Sequence, residues 1–287
     1  MAQSGILPFE ACYVNSCGVR LYLDRAPFIM TGSGLFDTHW RLGTIRAPFG
    51  DGCRLISSRR FRDTIDVTLE ITADSPSELA RYLELLSDTF DYDIIGGTPG
   101  QLFIGGQYLR CWCSESEKKL SCDFDSRATL KLKITPESPV WITEKHYHIL
   151  PAASYSGDGL SYPYSYPKRY GAGRRMVIAE NTHFSPSPVM ITFYGPAEHP
   201  RLHLGTQCMG ADVTLEAGEY AVIDQRSREI FSVSAGGEKT NCFDLRDRGC
   251  GVFTYLPPGS SMLTLESDGG ADIILYEQRS EPLWTSS

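Results

Sequence analysis

The sequence lacks any apolar run approaching the roughly 18 residues that a membrane-spanning helix requires, which excludes a helical membrane anchor within it. It also lacks surplus positive charge: 27 Lys and Arg stand against 35 Asp and Glu, a net charge of −8. A protein whose main task is gripping phosphate backbones needs clustered cations, so that class is excluded as a primary function. There is no Gly-x-Ser-x-Gly elbow, and no cysteine has a histidine placed to nominate a dyad. The glycines at 32–34 and 96–100 are not followed by a phosphate-loop lysine. Tryptophan is scarce, and beyond residue 145 only Trp284 occurs. The opening "MAQSGILPFEACYV" has no basic segment, and Glu10 interrupts its apolar stretch, so no secretion signal is expected there.

Cysteine, by contrast, is plentiful at nine, an odd number. Without a secretion signal the expectation is reduced thiols, many of them small buried hydrophobes. In "CWC", Cys111 and Cys113 share one strand face, but zinc needs two further ligands and only Cys122 is close by. "EKHYHIL" places Glu144, His146 and His148 at strand spacing, and reads most simply as a polar stretch. No metal, cofactor or catalytic residue is expected.

Alternation dominates what is present. In "TIDVTLEIT" (64–72), Ile65, Val67, Leu69 and Ile71 point one way and their polar neighbours the other, the mark of a half-buried strand. "SPSELARYLELLSDTF" (75–90) predicts the one clear helix. Ser75 is the cap, Pro76 takes the first position, Glu78 completes a capping box, and Leu79, Leu83, Leu86 and Phe90 recur at helical spacing. "QLFIGGQYLRCWC" predicts a hairpin at Gly105–Gly106, and "ATLKLKIT" another strand. Residues 151–173 are rich in Ser, Gly, Pro and Tyr without any period, which marks a linker. After it come short strand patterns broken by Pro and Gly, among them "RLHLGTQ", "EIFSVSA" and "GVFTYLPPGSSMLTLES", with no helical pattern. The expected organisation is a first domain over 1–145, a linker over 146–173, and a second β-sandwich domain over 174–287.

"TLEAGEYAVID" (214–224) groups the carboxylates Glu216, Glu219 and Asp224. A catalytic acid needs a carboxyl shielded from water. The tip of a hairpin turning at Gly218, with Val213 and Leu215 inward and Arg226 beside Asp224, offers no such shield, so a structural turn is expected.

In their order along the chain, these pieces resemble the distal tail proteins (Dit) of long-tailed, non-contractile phages, the siphophage tail-component family. "FRDTIDVTLEIT", the capped helix, "LFIGGQYLRCWC" and "ITPESPVWI" are similar to the family's first domain. "SYPYSYP" resembles its aromatic-proline crossover, and "LEAGEYAVIDQRSREI" and "FTYLPPGSSMLTLES" its galectin-like second domain. The resemblance implies a mainly β fold: a tail-tube-like β-sandwich or barrel with one α-helix, then a galectin-like (jelly-roll) sandwich. It implies a non-enzymatic homohexameric ring at the virion tail tip, assembled in the bacterial host cytoplasm. Its partners would be the tail tube protein, a tail-associated tail-tip protein and a receptor-binding protein, with DNA passing through without specific binding and no membrane contact. The family links neighbouring subunits by an extension. Here the Gly-rich stretch 30–52, with Phe36, Trp40, Ile45 and Phe49, is the candidate, an ordinary loop being the alternative. The competing function is a glycan-binding sandwich, for which "AEHPRLHLG" offers His199, Arg201 and His203 without a clear stacking aromatic. "SSRRFR" (57–62) is a basic cluster that reads as a solvated face or a subunit contact.

Overall fold

The computed structural model describes residues 10–31, 34–46, 51–61, 64–120, 126–151, 175–205 and 207–283. The expectations for residues 1–9, Phe49, Cys122, Trp284 and most of the 146–173 linker lie outside the described residues. Residues 146–149, expected in that linker, are strand. The chain divides into two compact units, Met1–Thr143 with Arg279–Ser287, and Glu144–Gln278.

The first unit runs β1 (Ala11–Val14), β2 (Arg20–Tyr22), β3 (Asp24–Arg25), β4 (Phe28–Thr31), β5 (His39–Ile45), β6 (Arg54–Phe61), β7 (Ile65–Thr72), α1 (Pro76–Gly96), β8 (Gly100–Ile104), β9 (Gln107–Leu120) and β10 (Arg127–Pro136), with β11 (Trp141–Ile149) following. Strands β9, β10, β7, β4 and β3 lie side by side, antiparallel. Alternation decides which side chains go inward: Val67, Leu69, Leu130 and Leu132 are buried, while Asp66, Glu70 and Lys131 face solvent. A two-residue turn with Gly105 at φ 60 joins β8 to β9.

Helix α1 covers the core with Leu79, Leu86 and Phe90, each buried side chain contributing about 2 kcal/mol by area. Its start follows the sequence. Ser75 Oγ accepts from Glu78 N at 3.2 Å, although Glu78 reaches back to Asp74 N at 2.9 Å rather than to the cap residue. Its end does not: the helix continues past Phe90 to Gly96 and stops at Gly97, which is left-handed at φ 65. The extra turns carry Asp93, fully buried. Its carboxylate accepts from Tyr13 Oη at 2.5 Å and from Ser16 N at 2.7 Å, which ties the helix end to β1.

The second unit contains β12 (Met176–Asn181), β13 (Val189–Tyr194), β14 (Ala197–Glu198), β15 (Arg201–Leu204), β16 (Gln207–Gly210), β17 (Thr214–Leu215), β18 (Tyr220–Asp224), β19 (Glu229–Val233), β20 (Lys239–Asn241), β21 (Gly259–Glu266) and most of β22 (Ala271–Arg279). One sheet has the order β20-β19-β18-β13-β22 and the other β12-β21-β15-β16. Ile191, Phe193, Ile223 and Ile273 of the first share a core with Leu202, Leu263 and Leu265 of the second, which makes a sandwich. "RLHLGTQ" is two strands, parted where Gly205 takes φ 59. "GVFTY" is turn rather than strand, held by the single bridge Ser187–Leu256.

The expectation of reduced thiols fails at one place. Cys208 and Cys250 form a disulfide, because β16 and the loop after Arg248 bring their Cα atoms to 4.8 Å. Among the described residues no helix is long and apolar enough to cross a membrane.

Candidate assembly surfaces

The stretch expected as an extension is an antiparallel ribbon. Among the described residues β5 and β6 pair only with each other, and every residue of β5 is exposed. The pairing runs from His39–Phe61 to Ile45–Arg54, with a bulge after Gly43. Strand alternation gives the ribbon two unlike faces. One carries Trp40, Leu42 and Leu55 with Arg60; the other carries Arg41, Arg59 and Arg54 with Phe61 and Ile45. Residues 39–61 contain five arginines against the single Asp51, inside an acidic chain. Arg60 lies 5.5 Å from the Trp40 ring and Arg41 lies 4.2 Å from the Phe61 ring. Arg41 and Arg59 sit directly opposite each other, a like-charge pairing that a ribbon in water does not favour. Among the described residues no carboxylate pairs with Arg41, Arg54, Arg59 or Arg60.

Of the four residues expected here, Trp40 and Ile45 lie on the ribbon, on opposite faces. Phe36 does not. It belongs to a turn of 3-10 helix and packs against the first unit's core. Sequence reading missed Leu42, Leu55 and Ile56 and treated the arginines of "SSRRFR" as a separate cluster. Continuing the strand alternation from His39 through Phe61 would have joined them.

A second surface is the outer face of β7, β10 and β9. Across the strands the register sets Asp66, Lys133 and Glu115 in one row and Thr68, Lys131 and Glu117 in the next. Lys133 Nζ lies 2.6 Å from Glu115 Oε2. The contact with Glu115 raises the Lys133 pKa, so this ammonium stays charged and matched. Lys133 is thus bracketed by carboxylates, and Lys131 has one beside it in Glu117.

The carboxylates of "TLEAGEYAVID" occupy a turn, but not a hairpin tip. β17 pairs with β14, and β18 with β13 and β19, so the turn passes between two sheets. Gly218 has φ 89, and Glu219 Oε2 accepts from Glu216 N at 3.0 Å. Asp224 accepts from Arg226 N at 2.8 Å and lies 3.8 Å from its guanidinium. That guanidinium stacks 3.5 Å over Tyr276. These contacts brace a turn.

The other candidates are drawn into local pairs. Glu144 lies 3.3 Å from His146, while His148 turns to Asp272 at 2.7 Å. Burial raises the Cys111 thiol far above its ordinary value and pushes Cys113 up to about 12, so both remain protonated at neutral pH. Of the three residues offered for a glycan, Arg201 lies 2.7 Å from Asp247, His203 lies 2.6 Å from Glu266, and His199 pairs with Asp212. A cluster that sequence reading missed gathers Tyr194 and Tyr220, rings 6.3 Å apart, with Tyr194 Oη donating to Asp272 at 2.9 Å.

No protein-family profile matches the chain, and no curated protein matches it. Solved structures do. The SPP1 Dit protein, a hub adsorption apparatus paradigm for Gram-positive-infecting phages, superposes with a TM-score of 0.56 at 10% identity, covering 95% of this chain and 100% of its own. A chain of the phage P2 baseplate in its activated conformation with Ca gives a TM-score of 0.62 at 12% identity, covering 96% and 99%. The same baseplate with Sr gives the same values. Along nearly its whole length, the chain has the fold of the SPP1 Dit protein and of a phage P2 baseplate chain.

Proposed function

We propose that this chain is a phage distal tail protein, a non-enzymatic hub of the virion tail tip. In this reading six copies form a ring between the tail tube and the tail-tip and receptor-binding proteins, assembled in the host cytoplasm. The observation that carries it is end-to-end likeness to two hub structures, covering both units rather than one. The β5–β6 ribbon supports it, since an exposed apolar arm on a folded unit is accounted for by a neighbouring subunit. The β7–β10–β9 face also fits a DNA conduit, because lysines set beside carboxylates offer little net attraction to passing phosphates. Light scattering of the purified protein, with negative-stain imaging, tests the ring: six-subunit particles support the reading. A chain that stays monomeric alone and also fails to join the tail tube protein overturns it.

Sugar binding by the second unit is the competing reading, favoured by the exposed Tyr194, Tyr220 and Asp272 cluster. Glycan-array binding by the full chain, lost in Tyr194→Ala, would establish it.

A further inference from the structure

Between β20 and β21 the chain runs through residues 242–258, a loop fastened to the second unit at separated points. Asp247 N donates to Gly210 O at 3.2 Å, and the Asp247 carboxylate receives Arg201 Nε at 2.7 Å. Further along, the buried Gln225 donates to Val252 O at 3.1 Å and to Thr254 O at 3.0 Å. The tip between these anchors is Arg-Gly-Cys-Gly, residues 248–251. Among the described residues its hydrogen bonds stay inside the loop. Gly249 N and Cys250 N donate to Asp247, and Gly251 O accepts from Thr254 N. Apart from the packing of Cys250 itself, what ties the tip to the sheet is the bond from Cys250 to Cys208 on the edge strand β16.

We propose that Cys208–Cys250 is a reversible redox latch on this tip. Closed, it fixes residues 248–251 against β16; opened by a small thiol, it releases them while the anchors on either side hold. Both cysteines are half-buried, and the exposed Gly249 and Gly251 beside Cys250 place no side chain over its sulfur. Arg246 and Arg248 line the same open groove as Cys250, and positive charge draws in the thiolate that performs exchange. Cys111, Cys113 and Cys242, by contrast, are buried thiols. In the opening reaction a thiolate attacks one sulfur of the bond and displaces the other, giving a mixed disulfide. A second thiolate attacks the reagent's sulfur in that mixed disulfide, and both protein sulfurs take up protons from water. Two electrons pass from the reagent to the protein, and the reagent leaves as its own disulfide, which drives the reverse reaction. The tip forms one wall of the groove that also holds Phe253 and Thr254, so the state of the bond sets the groove's shape.

The experiment uses the full chain in glutathione buffers of graded thiol-to-disulfide ratio. Alkylation and peptide mass spectrometry should show Cys208 and Cys250 opening together in one two-electron step, and closing again when the ratio is reversed. Hydrogen exchange, labelled for seconds to minutes, should be about tenfold faster at residues 249–251 in the reduced protein, with β18 and β21 unchanged. Trypsin should cut after Arg248 about tenfold faster in the reduced protein than in the oxidised one. Cys208→Ala and Cys250→Ala should each exchange fast at the tip with or without the thiol, and circular dichroism checks that each keeps its fold. Opening without faster exchange at the tip overturns the latch, as does loss of protection across β18 and β21, which marks a staple of the whole unit. A pair that opens and does not close again overturns it too. None of these readouts needs a ring, so the latch stands or fails separately from the hub reading.

Discussion

Tyr13 donates a 2.5 Å hydrogen bond to Asp93, a residue 80 positions later, and both are buried. Burial, then the carboxylate beside it, drives the Tyr13 pKa far up, so the phenol remains a donor at any working pH. A Cβ on Gly100 would collide with both side chains, so the contact needs glycine there. Tyr13→Phe leaves a buried carboxylate with one donor fewer and should cost about 2 kcal/mol, measured by urea unfolding. Gly100→Ala should cost at least as much by displacing the pair. Two variants as stable as the parent would show that the bond contributes nothing.

In the second unit the half-buried Lys145 forms an ion pair with the buried Glu277. Glu277 Oε1 receives Lys145 Nζ at 2.8 Å and Thr182 N at 2.6 Å. Burial alone would raise the Glu277 pKa; the Lys145 and Thr182 donors outweigh it and hold it below the usual glutamate range. Because the folded value is the lower one, the stabilisation is whole above the unfolded value of about 4.3. It is lost as pH falls through the folded value. Lys145→Ala should therefore cost about 3 kcal/mol at neutral pH, while Glu277→Gln should flatten the acid limb of the stability profile. An unchanged acid limb in that variant would refute the assignment.

Cys208 and Cys250 close a loop of 42 positions, worth about 4 kcal/mol in chain entropy. Titration under denaturing conditions should find two more thiols with reductant than without. Cys208→Ser should lower Tm by on the order of 10 °C. Equal thiol counts with and without reductant would show the cysteines unlinked.

Removing the carboxylates that lie beside Lys131 and Lys133 on β9 should turn a passive face into a phosphate trap. Glu115→Lys with Glu117→Lys should retain duplex DNA at low salt, with retention falling steeply as salt rises. The parent protein should let DNA through. Retention by the parent equal to the variant's would remove the conduit argument.

The legible parts of this fold were those where burial imposes a period. β7 and β10 bury every second side chain, and α1 buries Leu79, Leu86 and Phe90, so each wrote its geometry into the sequence. The last turns of α1 did not, because Asp91, Tyr92 and Asp93 break the apolar stripe, and Asp93 is buried for a contact with distant Tyr13. The ribbon was half hidden for the opposite reason. Neither of its faces is buried in its own unit, so apolar and charged residues sit on both, and the bulge after Gly43 shifts one strand's phase. The disulfide was invisible because cysteine spacing says nothing about which loops meet.

Among the described residues no other strand pairs with the two-stranded ribbon, so each outer edge is a row of backbone donors and acceptors that a matching strand would extend. Pairing at such edges would stack chains without limit. The arginines of β5 and β6 oppose that outcome, since laying one ribbon beside another multiplies the repulsion already present between Arg41 and Arg59. The arm is therefore poor at recognising itself, and edge-to-edge stacking of this chain is held back by its own charge.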